Sequence, residues 1–127
     1  MEKDISIIRE KLVGMLKNHQ DLFKVVADTP QKFEVHGTIP AMQGKQKVDG
    51  FYFGSVIPKP KDVRLYFFPM YTHKEKLHGK MSPELNKFLK GKSCFHIKHL
   101  TPELENEIQL MINDAVKIYQ KDDLLTS

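Results

Sequence analysis

A single cysteine, Cys94, excludes an internal disulfide. A lone thiol fits a reducing compartment, so a cytoplasmic location is expected. No apolar run approaches the ~18–20 residues that span a bilayer as a helix. The opening segment, MEKDISIIREKL, lacks the basic head and unbroken apolar core of an export signal and carries acids instead. Internal repeats and low-complexity tracts are also missing, as is any complete catalytic or metal motif. What remains is an ordinary globular balance, 40% hydrophobic and 28% charged over 127 residues. That length fits one domain, 1–127, with its core over 5–120.

The net charge is only +4, but it is unevenly spread. Lys74, Lys76, Lys80, Lys87, Lys90, Lys92 and Lys98 face two acids in the same stretch, Glu75 and Glu84, a local surplus of +5. The rest of the chain then sums to −1. Such a patch steers anions even on a nearly neutral molecule. The ordinary alternative is a solvated lysine-rich face.

Residues 3–22 read as an amphipathic helix, with Ile5, Ile8, Leu12, Met15, Leu16 and His19 at three- and four-residue spacing. Alternation predicts strands over 32–39, 48–57 and 63–70, the second with Phe51 and Phe53 on one face and Tyr52 and Val56 on the other. Ser82-Pro83-Glu84 starts a short helix with Leu85, Phe88 and Leu89 buried and Gly91 as its stop. Residues 93–98 read as a further strand. Thr101-Pro102-Glu103 opens a long helix with the stripe Leu104, Ile108, Met111, Ile112, Ala115 and Tyr119. The tail 121–127 is expected to fray. Mostly consecutive strands with short links favour an antiparallel sheet. The expected fold is α+β: a two-layer sandwich of four to five mainly antiparallel strands, with the N- and C-terminal helices on one face.

VHGTIPAM ends one strand at a proline; FYFGSVI, RLYFFPMY and GKSCFHI supply the strands that follow. This pattern, over roughly residues 5–120, resembles the YdhG-like family of small domains of unknown function. The resemblance implies a frataxin-like fold. It also implies a link to intracellular iron delivery, since a member of the family has one. Frataxins are thought to hold iron on a ridge of acids along the first helix. Here Glu10 and Asp21 are eleven residues apart, ~16 Å on a helix, too far for one ion to bridge. Iron therefore rests on the resemblance alone.

The candidate chemistry lies between Val63 and Leu100, which holds four of the six histidines and the cysteine. Cys94, His96 and His99 form C-x-H-x-x-H, whose first two members share a strand face and could begin a soft-metal site. A second ligand pair is missing, and half-buried packing is the ordinary alternative. Cys94 as a nucleophile would need a base and a depressed pKa. Lys90-Gly91-Lys92-Ser93 is like the end of a phosphate loop, but Asn86 stands where the motif needs glycine and a strand follows. A plain anion site remains, made by the lysines and the helix starts at Ser82 or Thr101. Arg64, Tyr66, Phe68 and Met70 share one face of the third strand, near Tyr52; that face is either an exposed aromatic–basic surface or a second small core.

A ligand site is accordingly expected at Tyr71, His73, Lys92, Cys94 and His96, where a strand end adjoins a polar loop. The expected function is binding in preference to catalysis. The leading candidate is a small-ligand or metal-handling accessory protein, whose partner is an anionic small molecule or a protein. The alternative is a protein- or nucleic-acid-interaction module using the 74–98 lysines.

Overall fold

The structure, a computed structural model, describes residues 1–126. Helix α1 (Ile5–Lys17) begins where the Asp4 carboxylate accepts the N–H groups of Ser6 and Ile7, at 2.9 and 3.2 Å. It buries Ile8, Leu12, Val13, Met15 and Leu16. It is shorter than expected. The polar run Asn18-His19-Gln20-Asp21 supplies no strong helix former but Gln20, and a 3₁₀ turn at Gln20–Leu22 follows.

The chain then forms β1 (Lys24–Thr29) and β2 (Lys32–His36), a small hairpin of β3 (Ala41–Gln43) and β4 (Gln46–Val48), and the central pair β5 (Tyr52–Pro58) and β6 (Val63–Phe67). Short helices α2 (Pro69–Thr72), α3 (Lys74–Leu77) and α4 (Pro83–Phe88) lead to β7 (Leu89–Lys90), β8 (Cys94–Ile97) and the long helix α5 (Pro102–Lys121). Ser82 and Thr101 cap α4 and α5 as their sequences predict, each hydroxyl accepting an N–H three residues on at 3.1 Å.

The main sheet has six strands in the order β1-β2-β5-β6-β8-β7, every pair antiparallel, and β3-β4 is a separate two-stranded sheet. The α+β class and the antiparallel sheet agree with the sequence reading; the strand count exceeds it. The extra strands carry little pattern. β1 is exposed along nearly its whole length, and β7 has two residues.

Register fixes the two faces. Phe33, Val56 and Leu65 lie in one row with Phe95 and point into the core. Glu34, Ser55, Tyr66, Cys94 and Lys90 form a row on the opposite face. Phe53 shares the core with Val56, correcting the expectation that they oppose. The β2–β5 register slips between Val35 and His36, so Phe53 is an extra residue and its ring turns inward. Helix α1 lies against β5, β6 and α5, and Tyr119 of α5 sets its ring edge-on to Phe51 and Phe53, 5.5 and 5.6 Å between centroids. The inward-facing residues, with Phe51 and Tyr119, belong to one apolar core.

The tail is docked as far as Thr126, contrary to the expected fraying; Ser127 lies outside the described residues. Asp123 adopts φ 60°, the Leu124 N–H donates to the Tyr119 carbonyl at 2.8 Å, and Leu125 is 2% exposed. Two leucines late in the chain pull it back onto the core.

Candidate functional site

The strand expected over 63–70 ends early, at Phe67. Phe68 takes a helical conformation and Pro69 occupies the first position of α2, which suits its fixed φ. Met70 is therefore not on the sheet; its buried side chain anchors α2. Tyr71, the next residue, is left 52% exposed. Across from it, Gly91 turns the chain between β7 and β8 at φ +64°, a conformation that favours glycine. That turn presents Lys92, whose ammonium nitrogen lies 5.3 Å from the Tyr71 ring centroid.

Between these elements is a cleft of about 320 Å³, lined by Met70, Tyr71, Lys74, His78, Leu89, Gly91 and Lys92. Its apolar parts are Met70 and Leu89. Its polar groups are two ammonium groups, an imidazole and a phenol, with no carboxylate among the lining residues.

Of the five residues expected to form one site, Tyr71 and Lys92 meet here. The other three lie elsewhere. β6 and β8 are neighbours, as a shared site requires, but their register puts Cys94 beside Tyr66 and His96 beside Arg64 on the outer sheet face. His73 turns the other way. Its Nε2 is 2.6 Å from Asp122 Oδ2, its Nδ1 is 2.8 Å from the Thr72 hydroxyl, and its ring packs on Tyr119. The sequence does not mark His78, Met70 or Leu89 as site residues: the segment 71–82, with His78, reads as loop, Met70 reads as strand, and Leu89 reads as the buried side of a short helix.

The outer face is a polar network. Glu34 receives Lys32 at 2.8 Å, His36 at 2.8 Å and the Ser55 hydroxyl at 3.0 Å. Tyr52 OH lies 2.6 Å from the Ser55 hydroxyl. Burial pushes the Glu34 carboxyl up, but the hydrogen bonds outweigh it and hold the group below its ordinary value. Burial pushes the Tyr52 phenol up to about 12. At the other end Asp62, 7% exposed, meets Arg64 Nε at 3.2 Å and His96 at 3.8 Å. Burial, with Arg64 nearby, holds His96 below the usual imidazole value. The Cys94 thiol is half-buried and raised, again by burial, so it lacks the depressed pKa of an activated nucleophile.

The seven lysines of the basic stretch are all exposed, and among the described residues none lies in an ion pair. They do not form one cluster: Lys92 precedes β8 and Lys98 follows it, at opposite ends of that strand. Lys74 and Lys92 line the cleft, whereas Lys80 lines a separate apolar groove against α5. Lys90 and Lys98 lie near His96, and Lys76 near Asp122.

The residues present do not fit a metal. Among the described residues no group of three His, Cys, Asp or Glu side chains converges. His99 pairs with Glu84 at 3.2 Å and packs on Phe88, away from Cys94. Glu10 lies on α1 and Asp21 on the 3₁₀ turn, so the acids that the resemblance would assign to iron do not share one helix. No family model, curated protein or solved structure matches the chain. Among the described residues no helix is long and apolar enough to cross a membrane.

Proposed function

We propose that the chain is a small-ligand-binding domain, a two-layer sandwich of the frataxin-like type that its YdhG-like resemblance implies, working in the cytoplasm. Its ligand is a small anion with an apolar or planar part, held in the cleft between α2–α3 and the β7–β8 turn. One observation carries this reading: Lys74, His78 and Lys92 surround the apolar side chains of Met70 and Leu89 with no carboxylate among the lining residues. An anion entering there meets cationic donors without displacing a partner acid. Tyr71, the exposed aromatic wall, offers a face to a planar group once Lys92 swings to the ligand. The metal-handling form of the proposal has no comparable ligand set among the described residues.

Calorimetric titration with inorganic pyrophosphate, citrate and adenosine monophosphate tests the reading. At least one should bind, and Lys92→Ala should weaken it about tenfold, as loss of one charge-assisted contact does. Absence of binding by all three, or binding unchanged in Lys74→Ala and Lys92→Ala, overturns it.

A further inference from the structure

We propose that the outer face of the sheet, entered from the Tyr71 cleft, is a track for single-stranded nucleic acid. The inference rests on the cleft being an anion site and names the class of anion: the phosphates of a strand whose bases lie along the sheet.

Two observations carry it. The first is a continuous ribbon of rings. Tyr71 stacks on Phe68 at 5.7 Å between centroids, Phe68 meets Tyr52 at 5.3 Å, and Tyr52 meets His36 at 5.2 Å. The ribbon thus runs from the exposed cleft wall to β2. Tyr71 is exposed and Phe68, Tyr52 and His36 are half-buried. Exposed rings beside a sheet are what unpaired bases stack on, and the contact tolerates any base. A duplex, whose bases are already stacked and paired, gains nothing from it.

The second is the charge beside the ribbon. Of the carboxylates at this face, Glu34 is paired with Lys32 and Asp62 with Arg64, and each also meets a histidine, His36 or His96. Exposed Asp49 lines a cleft with His36 at the far end of the ribbon. Lys90 and Lys92 are exposed and, among the described residues, have no acidic partner. Lys90 and Lys92 therefore bring positive charge beside the rings, and the two carboxylates nearest the sheet centre, Glu34 and Asp62, each already have a cation at hand, Lys32 or Arg64. A small anion needs only the cleft; the ribbon beyond it has a use when the ligand is long and carries several planar groups.

Fluorescence anisotropy with a labelled oligothymidylate, the matching duplex and heparin as competitor decides the matter. The single strand should bind at least about tenfold tighter than the duplex. Tyr71→Ala should lose about tenfold, the effect of removing one stacked base, and Tyr71→Phe should retain binding. Lys90→Ala and Lys92→Ala should each lower the salt slope by about 0.7, one phosphate contact on a single strand. All these residues are exposed, so the variants should keep the fold, which thermal melts check. Equal affinity for strand and duplex, or no effect of Tyr71→Ala, overturns the track in favour of a merely cationic surface. Pyrophosphate binding without oligonucleotide binding overturns the track and leaves the cleft. Absence of both overturns both.

Discussion

His73 of the α2–α3 segment and Asp122 at the end of α5 are joined by a 2.6 Å contact, Nε2 to Oδ2, that ties the wall of the cleft to the docked tail. The hydrogen bond from His73 holds the Asp122 carboxyl below its ordinary value. A carboxyl depressed in the folded state contributes stability that is present above its unfolded pKa, about 3.9, and is lost as pH falls through the folded value. Asp122→Asn should therefore lower stability at pH 7 by less than about 1 kcal/mol, because the pair is partly solvated. The gap between the two proteins should close below about pH 4. Urea unfolding at pH 7 and pH 3 measures it. A gap of equal size at both values would mean that the His73–Asp122 contact contributes nothing.

Gly37 and Gly50 approach so closely that a Cβ on Gly50 would stand 1.9 Å from the Gly37 carbonyl oxygen. Backbone on both sides leaves no flexible side chain to yield. Gly50→Ala should cost at least about 1–3 kcal/mol, in the range of overpacked cores. Gly14, within α1, has nothing within 4 Å of the same added atom. Gly14→Ala should stabilise by about 0.5–1 kcal/mol through helix propensity and a less free unfolded chain. Thermal melts of the pair, shifting in opposite directions, check both. A neutral Gly50→Ala would show that the two segments separate readily.

Ile108 is fully buried on the stripe of α5 that was legible from spacing alone. Ile108→Ala should cost about 2–5 kcal/mol, as truncations of close-packed side chains do. A loss below about half a kcal/mol, the scale of surface changes, would remove this stripe from the core.

The long helices and central strands were readable because each sets a period against one apolar core. Leu104, Ile108, Met111, Ile112, Ala115 and Tyr119 are all buried as their spacing predicts. Elements with no buried stripe gave no period, and so β1, with Val25 and Val26 exposed at the sheet edge, went unread. The site was half legible for a related reason. Tyr71 and Lys92 come together because a proline and a left-handed glycine turn their segments toward each other. Cys94 and His96 were grouped with them by nearness in sequence, whereas strand pairing commits both to the outer sheet face. The direction of His73 depends on Asp122, which is 49 residues away.

Iron should find no tight site around Glu10 and Asp21, since they lie on separate elements and no third ligand converges with them among the described residues. Hard cations need several oxygens at one point. Anaerobic titration with ferrous ion should give no saturable binding in the micromolar range. Micromolar binding abolished by Glu10→Gln with Asp21→Asn would restore the iron role implied by the resemblance.

Cys94 is half-buried and sits opposite Tyr66 in the register, and burial raises its thiol above the ordinary value. Only the thiolate attacks an alkylating agent, so two effects slow the reaction: a small thiolate fraction and a partly closed approach. Alkylation by iodoacetamide at pH 7 should be well below the rate for free cysteine, and the rate should keep rising beyond about pH 8.5, where a free thiol is half ionised. Unfolding in urea should bring it to the free rate. Mass spectrometry at timed intervals follows the single adduct. A folded protein that reacts faster than free cysteine at pH 7 would reveal a stabilised thiolate. Cys94 would then become a catalytic candidate, and the reading of this chain as a binding domain would have to give way to that of an enzyme.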